Sequence, residues 1–236
     1  MLRVLREGDG WVVIAKPGRL LVHRTEQAPK ADAVVQMLRD QLGVLVYPVH
    51  RLDRGASGCL LVATRRDRAG PLNAALADAD KVYVAFVRGA FRHEEALVET
   101  PMKDDNGILK DARSRVRRLG ASVEPRCSLL EVRPDTGRYH QVRRHVRDLG
   151  HPVIGDREHG DSRVNGEWRT RDPDLRLGLH AISLAFSIDG EHVEVTCPLF
   201  RDHRALWSTL PWWSEAVARC PALSLEALLA PPSPAE

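Results

Sequence analysis

Pro48-Val49-His50-Arg51-Leu52-Asp53-Arg54-Gly55-Ala56-Ser57-Gly58-Cys59-Leu60-Leu61-Val62-Ala63 reads as a polar loop held between apolar strands. Val44-Leu45-Val46-Tyr47 lead in and Cys59-Leu60-Leu61-Val62-Ala63 lead out, short continuous apolar runs of the kind that strands buried on both faces present. Between them stands one carboxylate, Asp53, with Arg51 two residues before it and Arg54 directly after it. Gly55 and Gly58 allow the backbone a sharp turn at low steric cost. A loop gripped by two buried strands is rigid, so a carboxylate on it is held in a fixed place. An arbitrary Asp beside Arg is more often a solvated surface pair, and the flanking chain has to say which case applies here.

Outward from this loop, Leu2-Arg3-Val4-Leu5 and Trp11-Val12-Val13-Ile14-Ala15 flank Gly8-Asp9-Gly10 as a hairpin, which Lys16-Pro17-Gly18 breaks; Leu20 to His23 is extended again. Asp32 reads as the cap of a helix through Val34, Val35, Leu38 and Leu42, stopped by Gly43. Asp67 to Ala79 has helical spacing despite Pro71. Lys81 to Val87 is a strand with Tyr83 on the face of Lys81 and Ala85. Arg113, Arg115, Arg117 and Arg118 fit either a basic strand edge or a solvated face. Cys127 to Val132 is a strand and Pro134-Asp135-Thr136-Gly137 a turn. From Arg138 to Gly150 the period is helical: Tyr139, Val142, Val146 and Leu149 fall on one face, and His140, Arg143, Arg144 and Arg147 on the other. Leu179-His180-Ala181 and His192 to Thr196 begin further strands, and 203–219 reads as a last helix that Pro211 interrupts.

Three of these stretches resemble a known family together. His50-Arg51-Leu52-Asp53-Arg54 with its following Ser-Gly strand, Lys81-Val82-Tyr83, and Gly137-Arg138-Tyr139-His140-Gln141-Val142-Arg143-Arg144-His145 are similar to the three motifs of the RluA-type pseudouridine synthases. The resemblance implies an α+β fold: a long, mostly antiparallel mixed sheet with flanking helices and a central catalytic cleft. It implies an isomerase (an intramolecular transferase) that turns a uridine of structured RNA into pseudouridine, with no cofactor and no metal. It puts the catalytic carboxylate on Asp53, a uracil-stacking ring on Tyr83, and the arginine that pairs with the carboxylate on Arg143. Arg51 would help occupy the space that the extruded base leaves, and His50, Arg54, Arg138, His140, Gln141, Arg144 and Arg147 would contact RNA. Gly55-Ala56 stands where Asp-Thr is frequent in the family, which bears on substrate fit. His159-Gly160-Asp161-Ser162-Arg163-Val164-Asn165 is similar to a segment of the tRNA pseudouridine synthase C branch. That likeness favours tRNA as the partner, with uridine 65 in the T stem as the target. Ribosomal RNA is the alternative substrate, and an RNA-binding protein without chemistry the alternative class.

Composition sets the outer limits. The chain has 236 residues, 43% of them apolar and 28% charged, an ordinary soluble mix with a formal charge of only +3. One catalytic domain over 1–225 is expected, with 226–236 a disordered tail by composition and no room in front for an S4-type RNA-binding domain. Cys59, Cys127, Cys197 and Cys220 form no Cys-x-x-Cys motif, which fits a reducing cytoplasm. No stretch of about 18 apolar residues exists, so no membrane partner is expected. No Gly-rich phosphate loop and no Gly-x-Ser-x-Gly elbow occurs; Ser57 reads as a turn residue. His159 and Asp161 lack a third metal ligand by spacing. A monomer is favoured.

Overall fold

The run Ser57–Ala63 is a strand with all seven residues buried, and a ten-stranded sheet extends to both sides of it. The computed structural model describes residues 1–24, 26, 29–104 and 106–229. In chain order the elements are β1 (Arg3–Gly8), β2 (Trp11–Lys16), α1 (Val34–Leu42), β3 (Tyr47–Pro48), β4 (Ser57–Ala63), α2 (Arg66–Ala75), β5 (Asp80–Arg88), β6 (Glu95–Val98), β7 (Met102–Lys103), β8 (Leu109–Lys110), β9 (Ser114–Val123), β10 (Arg126–Pro134), α3 (Gln141–Asp148), α4 (Ser162–Arg171), β11 (Leu179–Ile188), β12 (Glu191–Thr196), α5 (Arg201–Trp207) and α6 (Trp213–Arg219). The main sheet runs β1-β2-β4-β11-β5-β10-β9-β6, with β12 added to β11 and β3 to β4; β7 and β8 form a separate ribbon. Its pairings are antiparallel except that of β4 with β11. The architecture is α+β with a mostly antiparallel mixed sheet.

Alternation along the central strands sends side chains into separate apolar clusters. Cys59, Leu61 and Ala63 of β4 meet Leu72 of α2, while Leu60 and Val62 meet Val34 and Leu38 of α1. On β5, Val82, Val84 and Phe86 pack with Trp168, Trp207 and Trp212, and Ala85 and Val87 pack on the other face with Val142 and Val146 of α3. Tyr83 touches both the α1 cluster and the α3 cluster, so it sits where the two halves of one sheet face adjoin. The parallel contact joins Ser57 to His180 and Gly58 to Ala181. Gly58 has φ 120, and a Cβ there would lie 2.2 Å from the Ala181 carbonyl oxygen, so glycine alone permits this approach.

Four local expectations are corrected. The lead-in strand shrinks to Tyr47–Pro48, and Val44 and Leu45 are exposed, because β3 pairs only with the far end of β4. Asp32 does not cap α1; the first helical N–H groups, those of Val34 and Val35, donate instead to the Leu21 and Val22 carbonyls. Ser57 is not a turn residue but the buried start of β4, 2.9 Å from His180 Nδ1. The basic helix begins at Gln141, not Arg138, since His140 takes a left-handed conformation with φ 54. Pro211 divides 203–219 into α5 and α6. Of the expected tail, residues 230–236 lie outside the described residues; within 226–229, Leu228 exchanges backbone bonds with Leu199 and Arg201. Among the described residues no helix is long and apolar enough to cross a membrane.

Candidate active site

Asp53 sits on a turn closed by the bond from Ala56 N to its own carbonyl, and its side chain is 20% exposed. Beneath the turn lies Lys16, the wholly buried last residue of β2. Its Nζ donates to the carbonyls of Pro17 (2.8 Å), Ala56 (2.7 Å) and Arg54 (3.4 Å). Burial, then the charge of Arg176, push its pKa down to about 7, against the pull of Asp53. The loop is therefore pinned by an amine under it as well as by β4 after it.

Arg143 reaches Asp53 from the first turn of α3. Its Nη1 is 3.0 Å from Asp53 Oδ2, the ion pair expected from the sequence. The rest of the guanidinium forks onto Asp156, with Nε and Nη2 each 2.7 Å from a carboxylate oxygen, and Nη2 also approaches Glu158 at 3.4 Å. Burial opposes the Arg143 charge, but the bonds to Asp156 and Asp53 more than restore it and raise its pKa above the ordinary value. Asp156 is held low in turn: burial works against its charge, and the bond from Arg143 outweighs it. The bonds from Glu158 N and His159 N complete its cage.

Tyr83 stands across the same cavity of about 410 Å³, which Asp53, His140, Arg143 and Leu179 also line. Burial, and next the charge of Asp53, push the Tyr83 hydroxyl pKa up, so the phenol keeps its proton. On the other side of Asp53 a second hollow is lined by Arg19, Arg51, Arg54, Tyr139 and Arg157. Among the described residues no carboxylate pairs with Arg51, Arg54, Arg138, Arg144 or Arg157. A cleft that carries the Asp53 carboxylate beside Tyr83 and Leu179, with guanidinium groups at its rim that no carboxylate pairs, suits a flat base joined to a phosphate backbone.

The two-faced reading of α3 is corrected. Arg143 and His140 point into the cleft, with side chains only 5% exposed, while Tyr139 is exposed and stacks on the His140 ring at 3.6 Å. The helix starts later than its hydrophobic period suggests, which rotates Tyr139 out of the apolar stripe. Gln141 is not free to meet RNA: its Oε1 accepts from Thr136 Oγ1 (2.6 Å) and Arg138 N (3.0 Å), and its Nε2 donates to Arg113 O (2.8 Å) and Ser114 Oγ (3.1 Å). His50 Nε2 accepts from Leu61 N at 2.9 Å, and burial takes its pKa down to about 4. Arg147 pairs with Asp148 on the exposed side of α3, and Arg144 is half-buried. Arg138 Nε donates to the Asp111 carbonyl at the cleft mouth, and Arg54 Nε to the Arg19 carbonyl. Arg113 and Arg115 pair with Asp135, Arg117 with Glu131 and Arg118 with Glu94, so the basic segment is internally neutralised.

Lys16, Asp156, Glu158 and His159 belong to the site and were not singled out for it by sequence. Asp156 follows α3 in the chain, and the return of the chain places it beneath Arg143. Among the described residues one group, His140, Glu158 and His159, has donor atoms within 4.8 Å of one another. His140 Nδ1 and His159 Nε2 are 2.9 Å apart, a hydrogen-bond distance, whereas tetrahedral ligands at 2.0–2.1 Å from zinc would stand roughly 3.3 Å apart. Arg143 also bonds Glu158. The three side chains form a hydrogen-bonded cluster.

Known proteins resemble this chain along most of its length. The profile of the family described as RNA pseudouridylate synthase matches residues 10–148. The tRNA pseudouridine synthase C of Vibrio cholerae is 36% identical over 209 residues, covering 79% of this chain and 85% of the relative. That of Vibrio parahaemolyticus is 32% identical over 241 residues, covering 92% and 98%. The solved structure of human RNA pseudouridylate synthase domain containing 1 superposes with a TM-score of 0.69 at 25% identity, over 84% of this chain and 83% of that one.

Proposed function

The chain belongs to the RNA pseudouridylate synthase family, and from that premise we propose that its substrate is a transfer RNA, with uridine 65 of the T stem as the target. It is an RNA pseudouridine synthase, an isomerase. The reaction breaks the N1–C1′ bond, rotates the uracil and rejoins it through C5, with no change of redox state. One observation carries the assignment of chemistry to residues: Asp53 held at 3.0 Å by Arg143 in the wall of a cavity of about 410 Å³, roomy enough to admit a nucleotide. In this reading Asp53 is the carboxylate that acts on the glycosidic centre, Arg143 orients it, and Tyr83 stacks on the uracil. A base paired in a stem must leave its helix to reach Asp53. Arg51, exposed beside the cleft and 5.8 Å from the Tyr139 ring, fills the place it leaves. Arg54, Arg138, Arg144 and Arg157 take the flanking phosphates. His50 and Gln141 shape the wall and do not touch RNA.

The choice of tRNA is supported by two relatives of that name, which align over most of the chain. The chain's free cysteines suit a reducing cytoplasm. The test is to incubate the protein, and Asp53→Asn beside it, with unmodified tRNA and ribosomal RNA transcripts and to map pseudouridine chemically. Wild type should modify the T stem of tRNA, and Asp53→Asn should modify nothing while binding RNA within about tenfold of wild type, roughly 1.4 kcal/mol. Modification confined to ribosomal RNA would overturn the substrate, and an active Asp53→Asn would overturn the residue assignment.

A further inference from the structure

We infer that His140 is a catalytic residue: its Nε2 takes the proton that leaves C5 of the target uracil, with His159 and Glu158 behind it as the outlet. The inference rests on the reading above, that a uridine is isomerised at Asp53.

The reaction needs such a group. When C5 has bonded to C1′, it still carries its hydrogen. That C–H bond breaks, its electron pair becomes the C5–C6 double bond, the C6–N1 double-bond pair left by the attack of C5 moves onto N1, and N1 takes up a proton from water. One proton is lost and one gained, so the isomerisation balances without a co-reactant. Something in the cleft must receive the first proton. Asp53 faces the sugar in this reading. Tyr83 is kept protonated by burial and by Asp53. Lys16 is spent on three carbonyls beneath the loop.

His140 is built to receive it. Its left-handed backbone, φ 54, turns the ring off the head of α3 into the cavity that also holds Asp53 and Tyr83. Nε2 lies 3.6 Å from Asp53 Oδ1, too far for a hydrogen bond, so this nitrogen is aimed at the reacting space with no partner among the described residues. The opposite nitrogen, Nδ1, is 2.9 Å from His159 Nε2 and 3.5 Å from Glu158 Oε2. A proton arriving at Nε2 is matched by one leaving Nδ1 to His159, which is half-buried and borders solvent. The Tyr139 ring, stacked at 3.6 Å, covers one flank of the imidazole. The groups facing His140 are Asp53, Arg143, Glu158 and His159. Burial, the largest influence, with Arg143 and His159 holds the ring below its ordinary pKa against the two carboxylates, so it stands neutral and ready to accept.

The test uses full-length protein and a tRNA transcript made with uridine or with uridine deuterated at C5, in single-turnover reactions at saturating enzyme. His140→Gln removes the base; His140→Asn does so with a residue that tolerates the left-handed backbone. Both should slow turnover by about 10²-fold or more, with the deuterated RNA at least about twofold slower again, as the C5 step becomes limiting. RNA binding and melting temperature should stay near those of wild type. His159→Phe, which keeps the ring but not the acceptor, should slow turnover less and raise the same isotope effect. Wild-type rates in the His140 variants, a slowing equal for both isotopes, or a slowing abolished by more enzyme would each overturn the inference. Wild-type turnover measured beside them, with Asp53→Asn silent, tests the underlying reading separately.

Discussion

Arg143 meets three carboxylates with one guanidinium, and no other residue type has the shape for it. A planar fork can satisfy Asp156 through two bonds and still present Nη1 to Asp53; a lysine ammonium is a point charge on a flexible stem. Asp156 is almost wholly enclosed, with a side chain 1% exposed, so removing its partner strands a buried charge. Arg143→Ala should cost about 3–5 kcal/mol in a urea titration and abolish turnover. Arg143→Lys should recover part of the stability and little of the turnover. An alanine variant as stable as wild type would show that Asp156 does not depend on this pair. At this scale three motifs far apart in the chain pointed to Asp53, Tyr83 and Arg143, and the fold lines one cavity with all three. Gln141, expected at the RNA, has its amide oxygen and nitrogen engaged inside the protein. No motif gave a role to Asp156, which is 13 residues from Arg143 along the chain and in contact with it in space.

Strand β4 places Asp53 and strand β5 places Tyr83, and β11 lies between them. The distance across the cleft therefore depends on how β4 meets β11. That junction is two residue pairs long, and at Gly58 it brings backbone onto backbone. Gly58→Ala would set a Cβ 2.2 Å from the Ala181 oxygen at φ 120. It should cost at least about 2 kcal/mol, from strain alone of about 1–3 kcal/mol plus the clash. Turnover should fall more than RNA binding does, because the two sides of the cleft would separate while the rim arginines remain. Equal stability of Gly58→Ala and wild type in thermal melts would mean that β11 can move away freely. Element types were largely readable from period and from continuous apolar runs. Boundaries were not: the turn at His140 and the brevity of β3 follow from contacts with segments far along the chain.

Across the whole molecule the core holds neutral imidazoles that water would protonate. His180, bonded to Ser57 Oγ and the Cys197 carbonyl, is pushed by burial from 6.5 down to about 4. His203 is held well below its ordinary value, again by burial first and Arg176 next. In the unfolded chain both take up a proton near pH 6.5, and in the fold neither does until much lower. Their contribution to stability is therefore complete above pH 6.5 and is lost as pH falls towards about 4. Denaturation midpoints should drop steeply across that window. His180→Gln should flatten the drop, even though it lowers stability at pH 7. An unchanged slope in the variant would remove His180 from the account.

Much of this could be read from residue order because the informative signals are local. Alternation and apolar runs act over a few residues, and Pro211 or Gly43 breaks a helix wherever the helix lies. His-Arg-Leu-Asp and Gly-Arg-x-His-Gln-x-Arg are contiguous strings whose chemistry needs a loop and a helix start. The expected pair of Asp53 and Arg143, 90 residues apart, came from resemblance to a family and not from spacing. Which groups stand behind that pair is a matter of long-range packing. Lys16 under the loop, Asp156 under Arg143, and His159 behind His140 are assembled by sheet order and by the return of the chain after α3. No periodicity encodes those contacts, since they depend on which buried faces close against one another.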